Sequence, residues 1–193
     1  MQFYVKQILE GEDVEQFESP GTKGMFIVDD SSKALPETDR KWFHSKTTKL
    51  LYLAKRARPD ILTTVFFLCT RVQGATYEDK TKMQRVLGHL KAMMLRTLYL
   101  RAHGASEITA CIDAAYTIHE DSKSHSGVVT HMGITLAYIS SKKQKCMSKS
   151  PTEAELIALT DNLGLVELFQ EFLELRRRVR YQSQWCTRNA MRW

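Results

Sequence analysis

Two acids in this chain have the type and placing to do chemistry: Asp113, in EITACIDAAYTI, and Glu155, in SPTEAELIAL. An aspartate on the polar side of a strand, followed after further strands by a glutamate near a helix start, opens a carboxylate cluster that can hold divalent metal. Two-metal phosphodiester hydrolysis uses such clusters, because one ion activates water while the other stabilises the leaving oxygen. Hard carboxylate oxygens select magnesium or manganese. One strand Asp and one helix Glu occur in many mixed domains, so the pair carries weight only through the elements that place it.

Those elements can be read from periodicity. Ile108, Ala110, Ile112, Ala114 and Ile118 alternate with Thr109, Cys111, Asp113 and Thr117, which is the two-residue period of a strand. HEDSKSHSG then supplies turn residues. GVVTHM and ITLAYISS, divided by Gly133, predict two more strands joined by a hairpin. Ser150, Pro151 and Glu153 stand at the N-cap, first and third positions of a helix, the pattern of a capping box with proline where it is tolerated best. Leu156, Leu159, Leu163, Val166, Phe169 and Leu173 follow at gaps of three and four, predicting an apolar stripe that packs on the sheet.

The preceding half is helical. Phe43, Thr47, Leu50, Leu51 and Ala54 share a face, and Pro59 forces a break. Ile61, Val65, Leu68, Cys69 and Val72 form a second stripe closed by Gly74, and Met83, Val86, Leu87, Leu90 and Met94 a third. Residues 1–40 mix short apolar runs with Gly, Pro, Ser and charge, and read as an irregular lead-in with one short helix near Phe3 to Leu9.

The remaining candidates are weaker. Cys69, Cys111, Cys146 and Cys186 have no CxxC or regular spacing and read as reduced thiols of an intracellular protein. His44, His89, His103, His119, His125 and His131 contain no pair at helical ligand spacing and are assigned ordinary polar roles. No leader-like or bilayer-length apolar stretch is visible, so no membrane partner is expected. The net charge is +6, and residues 176–193 hold six arginines and no acid, so the first 175 residues balance at 22 basic and 22 acidic groups. Lys142, Lys143, Lys145 and Lys149 crowd the approach to the Glu155 helix and could meet phosphates.

The segments KLLYLAKRARPDI, FLCTRV, IDAAYTIHEDSKSHSG, SSKKQK and SPTEAELIALTDNLG resemble, in order, blocks of copia-type retrotransposon polyproteins across residues 43–170. The resemblance implies the end of a reverse transcriptase, its thumb and connecting region, followed by the opening half of a ribonuclease H domain acting on RNA:DNA hybrids. It carries the family's first catalytic aspartate onto Asp113, and its helix glutamate onto Glu153 or Glu155. The capping box gives Glu153 a structural role, which favours Glu155 as the ligand. The family's third carboxylate, in an Asp-Asn pair on a later strand, has no counterpart here. Asp161-Asn162 imitates it but lies six residues beyond Glu155 on the same helix, about 240° round the axis. FIVDDSS imitates a polymerase Asp-Asp motif, yet Ile27 replaces its aromatic residue and 28 residues before Asp29 cannot contain the rest of a palm.

The sequence thus predicts an α+β chain: lead-in 1–40, helical thumb and connection segment 41–100, partial ribonuclease H-like unit 101–175 and unrelated Arg-rich tail 176–193. Asp113 and Glu155 are the expected catalytic and metal-binding pair, Mg or Mn the expected ion, and an inactive nuclease remnant the expected state. A nonenzymatic module binding nucleic acid or a partner through the helical segment, the lysines and the tail is the alternative. A chain that folds poorly is a third.

Overall fold

The computed structural model describes residues 1–101 and 107–178, with side chains through residue 175. His103, Cys186 and the tail from residue 179 lie outside the described residues. The chain divides into two compact units, Met1–Leu98 and Tyr99–Trp193.

The first unit is helical: α1 (Gln2–Leu9), α2 (Glu37–Arg56), α3 (Leu62–Arg71) and α4 (Tyr77–Ala92), with 3-10 turns at Pro59–Ile61 and Val72–Gly74 on either side of α3. α2 begins six residues before Phe43, the first residue of its predicted stripe, because Pro36 is extended at the N-cap and Glu37 and Asp39 suit the positive end of the helix. The core is built from Phe43, Leu50, Leu53, Ile61, Leu62, Val65, Leu68, Met83, Leu87 and Leu90, all buried. Most of the predicted stripes are recovered, with Leu53, Leu62 and Phe67 added and Leu51, Cys69 and Val72 left only half-buried. α4 ends before Met94, so that residue falls outside its helical stripe.

The lead-in is less irregular in effect than in pattern. Val5 and Ile8 of α1 are buried, Trp42 Nε1 donates to Glu12 at 2.9 Å, and Lys46 pairs with the same carboxylate at 2.8 Å. Ala34 bridges Thr76 in antiparallel fashion. The Asp29-Asp30 segment is a turn: the Asp29 carboxylate accepts from Ser31 N at 2.9 Å and Ser31 Oγ at 2.6 Å, and these bonds lower its pKa. This is Asx-turn chemistry and not a metal-binding palm hairpin.

In the second unit β1 (Ile108–Ala115), β2 (His125–Met132) and β3 (Thr135–Lys143) form an antiparallel sheet in the order β1-β2-β3. α5 (Pro151–Arg178) follows and packs on β1 and β2. This is the α+β arrangement expected, a three-stranded meander followed by a long helix, and it is compatible with a partial ribonuclease H-like unit. No described helix is long and apolar enough to cross a membrane.

The first half of the predicted stripe of α5 is a correction. Leu156, Leu159 and Leu163 are 61%, 47% and 46% exposed, while Ala154, Ala158 and Asn162 are buried; farther along, Val166 and Phe169 are half-buried and Leu173 is buried, as the stripe predicts. Residues 154, 158 and 162 are separated by four and share one face, so the helix meets the sheet through small side chains. Leucine there would hold the helix further away. Periodicity identifies a helix, but not which of two neighbouring stripes faces inward.

Close backbone approach also shapes the first unit at Gly88, where a Cβ would lie 2.0 Å from the Glu15 carbonyl oxygen. Gly88→Ala is expected to lower stability by about 1–3 kcal/mol through overpacking, read as an earlier urea midpoint for the full chain.

Candidate carboxylate site and its neighbouring histidine cluster

Strand register decides where Asp113 points. Across β1 and β2, Ile112 faces Val128 and Ala114 faces Ser126, while Asp113 faces Gly127, which faces Ser141 on β3. Val128 and Ser126 are buried, each 1% exposed, and Gln144 Nε2 bridges Ser126 Oγ at 2.9 Å and Ala154 O at 2.8 Å. The face containing Ile112, Ala114, Ser126 and Val128 is therefore the one α5 covers. Asp113 belongs to the opposite face and is exposed. Glu155 is exposed on the second helical turn, one residue after the buried Ala154.

The cap of α5 differs from the expected one by a residue. Ser150 Oγ accepts from Glu153 N at 3.2 Å, as an N-cap should, but the Glu153 carboxylate accepts from Lys149 N at 2.6 Å rather than from Ser150 N. Glu153 remains occupied in holding the chain entry, and Glu155 remains available.

Among the described residues no group of three or more His, Cys, Asp or Glu side chains is placed to hold a metal ion. Asp161 pairs with Lys142 at 3.6 Å on the outer surface. Lys143 pairs with Asp121 at 2.7 Å, whereas Lys145 and Lys149 are exposed. Two of the four lysines proposed to meet phosphates thus already have acidic partners, although exposed pairs of this kind are weak and exchangeable.

The same open face carries a cluster whose geometry the histidine spacing did not reveal. His125 Nε2 lies 2.7 Å from Ser141 Oγ, and His125 Nδ1 lies 3.0 Å from His119 Nε2, with ring centroids 5.2 Å apart. Burial and the neighbouring His119 lower the His125 pKa to about 4; burial and Lys143 lower that of His119, with Asp121 opposing. The order Ser, His, His is that of a nucleophile, its base and an orienting group. Ser141 is only 5% exposed, however, and a base titrating near 4 is a poor proton acceptor at neutral pH. The cluster therefore serves to hold structure. Sequence offered one usable signal: two histidines flanking a turn that leads into a strand.

Around it, Ser124 Oγ joins Ser148 Oγ at 2.8 Å and accepts from Thr117 N at 3.1 Å, while Gln144 N donates to Ser124 O at 2.8 Å. These bonds tie the β1–β2 loop to the segment entering α5. The seam fixes the entry of α5 against the sheet, while Asp113 lies on the face that α5 does not cover.

The chain is 27% identical over 157 residues to an uncharacterized mitochondrial protein of Arabidopsis thaliana, a match covering 81% of this chain and 65% of that protein. The chain thus spans just under two thirds of that relative's length. No family model matches. No solved structure matches either.

The seam and the two acids should separate cleanly in stability measurements. Gln144→Ala is expected to cost about 1–3 kcal/mol, because buried polar partners lose a hydrogen bond. Asp113→Asn and Glu155→Gln are expected to stay within about 0.5 kcal/mol of the parent, as exposed substitutions do. Chemical denaturation monitored by far-ultraviolet circular dichroism would compare all three.

Proposed function

We propose that this chain is a segment of a copia-type retrotransposon polyprotein, joining the end of the reverse transcriptase to part of its ribonuclease H domain. Its ancestral reaction is hydrolysis of the RNA strand of RNA:DNA hybrids, and the chain by itself is inactive in that reaction. The observation that carries the reading is the order of elements with their motifs. A helical unit containing LLYLA and RPDI precedes a meander whose first strand carries IDA, and SPTEAE then opens the long helix.

The donor chemistry supports inactivity. The resemblance would make Asp113 and Glu155 the ligands of Mg or Mn, which would supply activation of water and charge neutralisation at the scissile phosphate, but Asp113 lies on the sheet face opposite the one that the Glu155 helix covers. Two exposed carboxylates, with no third acid, His or Cys grouped beside them among the described residues, do not fit two-ion hydrolysis. What these residues can do is attract a hydrated cation loosely. Asp113 faces solvent beside Gly127, which leaves the strand surface open to a polynucleotide backbone.

A second reading, a nonenzymatic nucleic-acid-binding module, is favoured by the exposed Lys145 and Lys149 on the approach to α5. It predicts binding that weakens steeply with salt, since phosphate contacts release counterions.

Both readings can be examined on the purified full chain with a labelled RNA:DNA hybrid. With magnesium or manganese present, no cleavage is expected; cleavage that Asp113→Asn abolishes would overturn the inactive assignment. In the same preparation, hybrid retention at low salt that falls when Lys145 and Lys149 become alanine would favour the binding module. Absence of any retention would remove it.

A further inference from the structure

The β1–β2 loop, residues 116–124, is fastened in an unusual way for a surface connection. Two of its non-glycine residues, Thr117 and Ser122, have φ of 46° and 55°. Left-handed backbone is unfavourable for such residues, most of all for β-branched threonine, and persists only where surrounding contacts enforce it. Here the enforcement is explicit. His119 N donates to Lys123 O at 3.1 Å, Ser122 N to His119 O at 2.9 Å and Thr117 N to Ser124 Oγ at 3.1 Å. His119 of the loop, 7% exposed, reaches the equally buried His125 of β2, which in turn bonds Ser141 of β3.

We propose that the His119–His125–Ser141 chain is an acid-operated latch, which holds this loop against β2 and β3 while both imidazoles are neutral and releases it when they take up protons. The inference stands apart from the retrotransposon assignment. Its basis is geometry: two imidazole nitrogens 3.0 Å apart can share one hydrogen only while one of them is an acceptor. Protonating both converts that bond into a contact between two donors carrying like charge.

Of the surrounding charges, Lys143 on β3 opposes protonation of His119 and Asp121 favours it. Asp121 is itself engaged by Lys143 at 2.7 Å and by Lys123 at 3.4 Å. Those bonds to lysine lower the Asp121 pKa, so it stays ionised while the histidines titrate. Glu120 is exposed. Ser124 and Ser148, joined at 2.8 Å, do not titrate in the range.

The direction of the effect follows from linkage. Both histidine pKa values are lowered when the loop is closed, so an open loop binds more protons below the ordinary value of about 6.5. Closure is fully favoured above about 6.5 and is lost as pH falls toward the His125 value of about 4. Opening would free Thr117 and Ser122 from left-handed backbone and expose His125 and Ser141, which are 7% and 5% exposed while the loop is closed.

The test uses the full chain and amide hydrogen exchange, corrected for the intrinsic pH dependence of exchange, at pH 7 and pH 4.5. Protection of residues 116–124 and of the adjoining ends of β1 and β2 is expected to fall at least tenfold between the two, while α4 changes little. His119→Gln, which can still hydrogen-bond but cannot titrate, is expected to reduce that fall. Unchanged protection in the parent, or an equal fall in His119→Gln, overturns the latch. Should that variant fail to fold, imidazole nitrogen shifts of the parent decide: titration of His119 and His125 below the ordinary range supports the proposal, and titration at or above it refutes the proposal.

Discussion

The arrangement of the second unit depends on one buried side chain, Gln144. Its amide nitrogen donates to both Ser126 Oγ on β2 and Ala154 O in the first turn of α5, so a single group fixes the separation and register of helix and sheet. A buried amide left without partners would be costly, which makes this bridge directional in a way that apolar contact is not. The helix face beside it is lined by Ala154, Ala158 and Asn162, small enough to let α5 approach the strands closely. Leucines at 156, 159 and 163 are consequently turned outward. Gln144 Oε1, buried and without a partner among the described residues, shows that the bridge does not satisfy the whole amide.

The first unit rests on an ionic analogue. Arg58, 3% exposed, donates to both oxygens of Asp60 and to Met93 O, while His89 Nε2 lies 3.1 Å from the same carboxylate. Desolvation tends to raise the Asp60 pKa, but bonds to Arg58 and His89 and their charges outweigh it, so the net direction is downward. The cluster joins the end of α2, the 3-10 turn and the end of α4. Buried ion pairs add little relative to apolar packing, yet removing one partner strands the other. Arg-Pro-Asp in the sequence is thus a helix stop and a charge cluster at once, and neither role needs chemistry on a substrate.

The polar groups of the second unit divide by face. On the covered side Gln144 and Ser126 are structural, and on the open side Asp113 is exposed beside a row that ends in the buried Ser141. Low exposure separates roles here more reliably than residue type. Ser141, His125 and His119 have the atom order of a catalytic triad but lack access, while Asp113 and Glu155 have access but lack a third ligand among the described residues. A single site with both properties would need elements additional to those described.

Much of this was legible in the sequence because local rules are physical. Alternation at 108–115 gave β1 and placed Asp113 on the polar side, Ser150-Pro151 gave the start of α5, and Pro59 and Gly74 bounded α3. These follow from backbone sterics, missing donors and the two periods, which act within a few residues. Tertiary structure alone decided that the inward stripe of α5 is Ala, Ala and Asn, that Glu153 caps from Lys149 N, and that Asp161 serves Lys142. It also decided that His119, His125 and Ser141 meet, since Ser141 is 16 residues from His125 and comes within reach only through strand register. Sequence determines which faces exist. Which face is buried, and which distant side chains share it, depends on how closely two elements can approach.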